Sequence, residues 1–140
     1  MAIRRINPYV NVDGTAEKAI RRYEEVLGAK TEQLMRWGEM PGMEVKPEHR
    51  DRVMHACLNV GGQSLMISDS CPERGAPQPG NVQINLQFSD AAELEKAFAA
   101  LAEGGRVEMP AQETFWAKRF GMLTDAYGVQ WMMNCIEEQP

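Results

Sequence analysis

The sequence predicts an α+β fold: two duplicated βαβββ modules forming a curved mixed sheet around a cavity. Three observations carry this expectation. Segments 7–12 and 82–88 both alternate with the period of two that marks a strand. Each is followed by a helical stripe, a short strand, a loop and a hairpin. The two halves also correspond residue by residue. A shift of 76 places Asn7, Tyr9 and Asn11 on Gln83, Asn85 and Gln87, Ala16-Glu17 on Ala92-Glu93, and Gly28 on Gly104. In the hairpins the shift is 66, which carries Gly62, Leu65 and Met66 onto Gly128, Trp131 and Met132. The difference fits a longer arm in the first half, and a common element order at a fixed period marks an internal repeat.

The elements follow in order. In 7–12, Ile6, Pro8, Val10 and Val12 share one face, and Asn7, Tyr9 and Asn11 share the other. Pro8 cannot donate to a ladder, so this is an edge strand or a strand start. Asp13-Gly14-Thr15 offers a turn and a helix N-cap. Ala16, Ala19, Ile20, Tyr23 and Leu27 recur at helical spacing, and Gly28 ends the helix. Lys30 to Trp37 reads as a strand, and Gly38 to Asp51 as a charged arm. Arg52 to Val60 and Ser64 to Ser68 read as a hairpin turning on Gly61-Gly62. Asp69 to Gly80, rich in Pro, Gly and Ser, reads as a linker.

The second half opens with the strand at 82–88. Asp90 and Glu93 form a capping box before the stripe Leu94, Ala97, Phe98 and Leu101, which Gly104-Gly105 closes. Arg106 to Met109 is a short strand. Arg119 to Thr124 and Val129 to Asn134 form a hairpin around Asp125-Ala126-Tyr127-Gly128. With 140 residues the chain is expected to be a single domain, with module 1 at about 1–69, a linker at 70–80 and module 2 at about 81–136.

Composition excludes several classes. Hydrophobic residues at 44% and charged residues at 25% describe a globular chain, not a disordered one. Fifteen basic against twenty acidic residues give a net charge of −5, which argues against nucleic acid as a partner. No apolar run approaches the ~18 residues of a membrane span, and no apolar segment follows Arg4-Arg5, so no membrane partner and a cytoplasmic location are expected. Cys57, Cys71 and Cys135 have no metal-finger spacing and read as free thiols. Ten methionines suit core filling or an adaptable pocket.

In each opening strand the apolar face must pack under the module's helix. The amides and phenol of Asn7, Tyr9, Asn11, Gln83, Asn85 and Gln87 then point away from the helix layer. They either face solvent or line a shared wet cavity, since buried amides need partners. The repetition of the pattern in both halves favours a cavity.

The duplicated layout resembles the vicinal oxygen chelate superfamily of glyoxalase I, bleomycin- and fosfomycin-resistance proteins and extradiol dioxygenases. Asn7-Pro8-Tyr9, Ala16-Glu17, Met40-Pro41-Gly42, Val53-Met54-His55-Ala56, Leu65-Met66-Ile67-Ser68-Asp69, Thr114-Phe115-Trp116, Arg119-Phe120-Gly121 and Gly128-Val129-Gln130-Trp131 together resemble its PhnB-like branch. Some members carry a 3-demethylubiquinone methyltransferase label. No glycine-rich loop follows a strand here to hold S-adenosylmethionine, so that activity is not carried over.

The resemblance also implies where a metal would sit. In metal-dependent members a His or Gln on each opening strand and a Glu on each last strand bind the ion. Those places fall on Asn7, Gln83, Met66 and Met132. Two amides and two thioethers are poor ligands for a hard divalent ion, so no metal and no cofactor are expected. Mid-strand His55, which on strand parity shares a face with Val53, Cys57 and Asn59, can be a general base in the cavity or a hydrogen-bonded structural histidine. His49, in the charged arm, is expected to be solvated. Trp116 can stack on a planar ligand or sit in the core, and Arg119 can hold a carboxylate or phosphate or simply face solvent.

The reading is a small-molecule binding protein of the glyoxalase/bleomycin-resistance type, with Asn7, Tyr9, Asn11, His55, Gln83, Asn85, Trp116, Arg119 and Met132 as ligand-binding residues. The alternative is a metal-independent or atypical-metal enzyme (lyase, isomerase or transferase) of the same superfamily that uses His55 or a loop carboxylate such as Glu113. Unpaired sheet edges and the resemblance both point to a homodimer.

Overall fold

The computed structural model describes residues 2–71, 73, 77–78 and 80–136. It resolves into two compact units that divide between residues 78 and 79, inside the expected linker. Each unit carries four strands and one α-helix in the same order, and unit 1 adds two short 3-10 turns, Trp37–Glu39 and Pro47–His49, in its arm. Unit 1 holds β1 (Tyr9–Val12), α1 (Ala16–Leu27), β2 (Lys30–Arg36), β3 (Val53–Val60) and β4 (Gln63–Asp69). Unit 2 holds β5 (Ile84–Gln87), α2 (Ala91–Ala102), β6 (Arg106–Gln112), β7 (Arg119–Thr124) and β8 (Gln130–Cys135). Hydrogen bonding makes one four-stranded mixed sheet per unit, ordered β1-β4-β3-β2 and β5-β8-β7-β6. In each, the opening strand lies parallel to the last and the other pairs are antiparallel. The fold class is therefore α+β with a duplicated βαβββ module, as the sequence predicts.

The register carries the duplication further than the element order does. Tyr9 stands opposite Met66, and Asn85 opposite Met132. Both offsets read from the sequence are thus kept within one strand pair. A one-residue slip would have turned every side chain to the other face.

Local chemistry explains most boundaries. Ala16, Ala19, Ile20 and Tyr23 are buried along one face of α1, and Gly28, at φ +66°, closes the helix. Thr15 makes no capping bond with its side chain. The expected local cap is replaced by Asp69 at the end of β4. Its Oδ1 accepts the Ala16 N–H at 3.0 Å and its Oδ2 the Val53 N–H at 2.8 Å. A carboxylate that is only 2% exposed thus ties α1, β3 and β4 together. Asp13 pairs instead with Arg52 at 2.9 Å. In unit 2 one half of the expected capping box forms: Asp90 accepts from the Glu93 N–H at 3.2 Å.

The β3–β4 hairpin turns on Gly61 and Gly62, at φ +60° and +86°. A two-residue turn with both central φ positive suits the strand twist and is costly for other residues. Gly121 on β7 is needed for closeness: a Cβ there would stand 2.7 Å from Phe98 of α2.

Three expectations shift. Regular pairing begins at Tyr9 and Ile84, so Asn7 and Gln83 stand just before their strands. Ile6 and Val82 correspondingly lie exposed rather than under a helix. The strand at 106 runs on to Gln112, because two register shifts absorb Pro110 on the sheet edge. Val53 is buried like Ala56 and Leu58, not aligned with His55 and Cys57, and a register shift beside it accounts for the change of parity.

Candidate functional site

In unit 1 the helix-covered face of the sheet is apolar: Val12, Ala56, Leu58, Leu65 and Ile67 are buried. Residues of the other parity make the helix-free face. Across it, Tyr9 stands opposite Met66, Met66 opposite Cys57, and Cys57 opposite Gln33. One step along, Asn11 stands opposite Ser68, and His55 opposite Met35. Two hydrogen bonds organise this face. The Tyr9 hydroxyl and His55 Nδ1 lie 3.0 Å apart, with the rings stacked at 5.6 Å. The Ser68 hydroxyl donates to Asn11 Oδ1 at 3.0 Å.

Unit 2 repeats the face with different chemistry. Asn85, Met132, Met122 and Met109 are successive cross-strand neighbours, and so are Gln87, Asn134, Phe120 and Gln112. Asn134 Nδ2 donates to Asn85 Oδ1 at 2.7 Å. Asn134 is only 5% exposed, and its Oδ1 has no partner among the described residues. A buried carbonyl without a donor is costly, so this atom invites an N–H or O–H from outside the unit. Gln83 Nε2 reaches Met122 Sδ at 3.7 Å.

Trp116 meets this face through Phe120, edge-on at 5.4 Å, and is itself packed edge-on by Phe115 at 4.8 Å. It is half-exposed rather than core. Arg119 stands apart. Strand parity puts it with buried Gly121 and Leu123, and its Nε donates to Glu95 of α2 at 2.6 Å. That bond raises the guanidinium pKa. An anionic ligand would have to compete with Glu95 for it.

Tyr9, Asn11 and His55 are therefore brought together in unit 1. Asn85 and Met132 are brought together in unit 2, with Gln83 and Trp116 beside them. Asn7 sits half-buried before β1. Sequence reasoning missed Ser68, Asn134, Phe120 and Met122. The available signal was strand parity, which places all four on the helix-free faces.

At the positions where the resemblance would put a divalent ion, unit 1 offers Asn7 and Met66, and unit 2 offers Gln83 and Met132. Among the described residues no three His, Cys, Asp or Glu side chains gather as a metal site. The donor set does not fit a hard divalent cation, because it brings neither a carboxylate to offset charge nor an imidazole. A half-open groove of about 690 Å³ also lies against the arm, between Trp37, Lys46, His49, Cys71 and Glu73. His49, expected to be solvated, lines it.

Fold and site together define a duplicated βαβββ protein with hydrogen-bonding, methionine-rich sheet faces, which is the glyoxalase/bleomycin-resistance plan. Residues 5–133 match the family model for the Glyoxalase/Bleomycin resistance protein/Dioxygenase superfamily, and the chain belongs to that superfamily. Protein YjdN of Escherichia coli (strain K12) is 33% identical over 96% of this chain and 97% of its own. Protein PA1353 from Pseudomonas aeruginosa superposes with a TM-score of 0.88 at 40% identity, over 97% of this chain and all of that one. The PhnB protein from Bacillus cereus superposes with a TM-score of 0.76 at 27% identity, over 94% of this chain and 99% of its own.

Proposed function

We propose that this protein binds a small organic molecule without a resident divalent metal, in the manner of the resistance-type members of its superfamily. The observation that carries the reading is the pair of methionines opposite Tyr9 and Asn85. Thioethers there favour contact with an apolar or planar ligand over coordination of a hard ion. Polar groups of a ligand on the unit 1 face would be met by Tyr9, Asn11 and His55, and those of a ligand on the unit 2 face by Gln83 and Asn85. Asn134 Oδ1 favours a ligand with an N–H or O–H donor, and Trp116 on Phe120 offers an aromatic wall. Arg119, already paired, would serve only a ligand anionic enough to displace Glu95. We place the protein in the cytoplasm, as a homodimer.

A second reading rests on the Tyr9–His55 hydrogen bond. A phenol on an imidazole nitrogen can relay a proton, so His55 can act as a general base in a metal-independent lyase, isomerase or transferase.

Native mass spectrometry with elemental analysis, on protein prepared without chelators, tests the first reading. The expected result is a retained organic mass and no stoichiometric Zn, Ni, Mn or Fe. One equivalent of such a metal per chain, lost on Gln83→Ala, overturns it.

A further inference from the structure

Four soft donors sit side by side on the helix-free face of the first sheet. Cys57 of β3 stands opposite Met66 of β4, and His55, two residues along the same strand, stands opposite Met35 of β2. All four are partly buried. Cross-strand neighbours place their Cβ atoms ~5 Å apart. Residues two apart on one strand face are separated by ~7 Å, within the reach of an imidazole and a thiol that share one ion.

The histidine is held at one ring nitrogen. Its Nδ1 lies 3.0 Å from the Tyr9 hydroxyl. With the Nδ1–H donating to the phenol oxygen, the Nε2 lone pair is left free, which is how outer partners fix the tautomer of metal-binding histidines. Among the described residues no Asp or Glu holds a paired register position on this face, which is made of Tyr9, Asn11, Met66, Ser68 and the β2 and β3 residues opposite them. One Cys57 thiolate would neutralise a monovalent cation but leave a divalent one with uncompensated charge, which burial penalises. Thiolate, thioether and imidazole together select a soft ion.

We propose that His55, Cys57 and Met66, with Met35 beside them, form a binding site for a soft monovalent d¹⁰ cation, Cu(I) or its analogue Ag(I). The site is distinct from the divalent centre that the superfamily plan implies and does not depend on an organic ligand being bound. It occurs once per chain. The positions matching His55 and Cys57 in the second sheet are Phe120 and Met122, opposite Asn134 and Met132, and offer no nitrogen or thiolate.

The test is anaerobic titration of the reduced full chain with Cu(I) against a colorimetric Cu(I) chelator. The expected result is one equivalent held per chain, with Cys57 shielded from alkylation while Cys71 still reacts. Cys57→Ser and His55→Ala should abolish retention, and Met66→Leu should weaken it. Tyr9→Phe, which keeps the ring and removes the orienting oxygen, should lower affinity by ~10-fold or more. Cys71→Ser should leave Cu(I) retention unchanged. Failure of the wild-type chain to hold Cu(I) overturns the proposal. So does retention undiminished in both Cys57→Ser and Tyr9→Phe, or an equal loss in Cys71→Ser. The alkylation readout on the wild-type chain decides the matter even if a variant fails to fold.

Discussion

Two tryptophans of the second unit show how placement decides what a side chain does. Trp131 is 1% exposed, and its Nε1 donates at 2.9 Å to Asp125, which also accepts the backbone N–H groups of Tyr127 and Val129. Trp116 is 47% exposed and touches Phe115 and Phe120 by its ring edges. Truncating Trp131 to alanine should remove packing and a buried hydrogen bond, costing ~3–5 kcal/mol or more. Trp116→Ala should cost no more than ~1 kcal/mol, mainly the aromatic contacts. Urea melts of the two variants check this. A loss of several kcal/mol in Trp116→Ala would make it a core residue and remove it from the proposed ligand surface. Strand parity in the sequence correctly put Tyr9, Asn11, His55, Asn85 and Met132 on one kind of face. It could not show that Arg119 would find Glu95, because that partner lies on a helix 24 residues away in sequence.

At the scale of elements, unit 1 is fastened by two acidic side chains of different burial. Asp69 joins α1, β3 and β4 through two backbone N–H groups. Asp69→Ala should leave both donors unmet and cost about 3 kcal/mol, while Asp69→Asn, keeping one acceptor, should cost less. Chemical denaturation measures both. Glu17 of α1 joins β2 through Arg36 at 2.8 Å and is 40% exposed, so its pair should contribute only ~0.2–1 kcal/mol. The hydrogen bond from Arg36 chiefly holds the Glu17 carboxyl below its ordinary value of 4.5, against a smaller opposing effect of burial. The folded state therefore binds this proton less readily than the unfolded chain. The stability Glu17 contributes is present above the ordinary value and is lost as pH falls through the lowered one. Glu17→Gln should flatten the acid limb of the stability profile by that amount while leaving the neutral-to-alkaline limb parallel to wild type. The helices and hairpins were legible because stripes, caps and glycine turns are local signals. The cap of α1 was not, because its acceptor comes from 54 residues beyond Thr15, brought back by the parallel β1–β4 pairing. Strand starts at residues 7 and 82 were read too early, since alternation persists in sequence after pairing has stopped.

For the whole molecule, the repeat was the most legible feature. An offset shared by strand, helix and hairpin survives in the hydrogen-bond register of both sheets. What the helix-free faces do was far less legible, because their residues repeat in position but not in type: Tyr9 and His55 correspond to Asn85 and Phe120. The same repetition argues for assembly. Among the described residues each sheet ends on two edge strands, and two of these, β1 and β5, are only four residues long. Short edges limit uncontrolled pairing, and so do the bulges and proline of β6. The large apolar side chains left outside are then better explained by a partner than by open edges. Ile6 and Phe115 are almost wholly exposed at 95% and 98%, with Ile3 and Val82 close behind. A two-fold pair of identical chains covers each such patch twice with one arrangement, which is why closed dimers are the commonest assembly. Sedimentation at micromolar concentration should return a species of twice the 15.7 kDa chain. Ile6→Glu and Phe115→Glu should each shift it toward the single chain without lowering the unfolding midpoint of the separated protomer. A wild-type species of one chain mass across that range would show that these apolar groups face water and that each chain must form its binding surface alone.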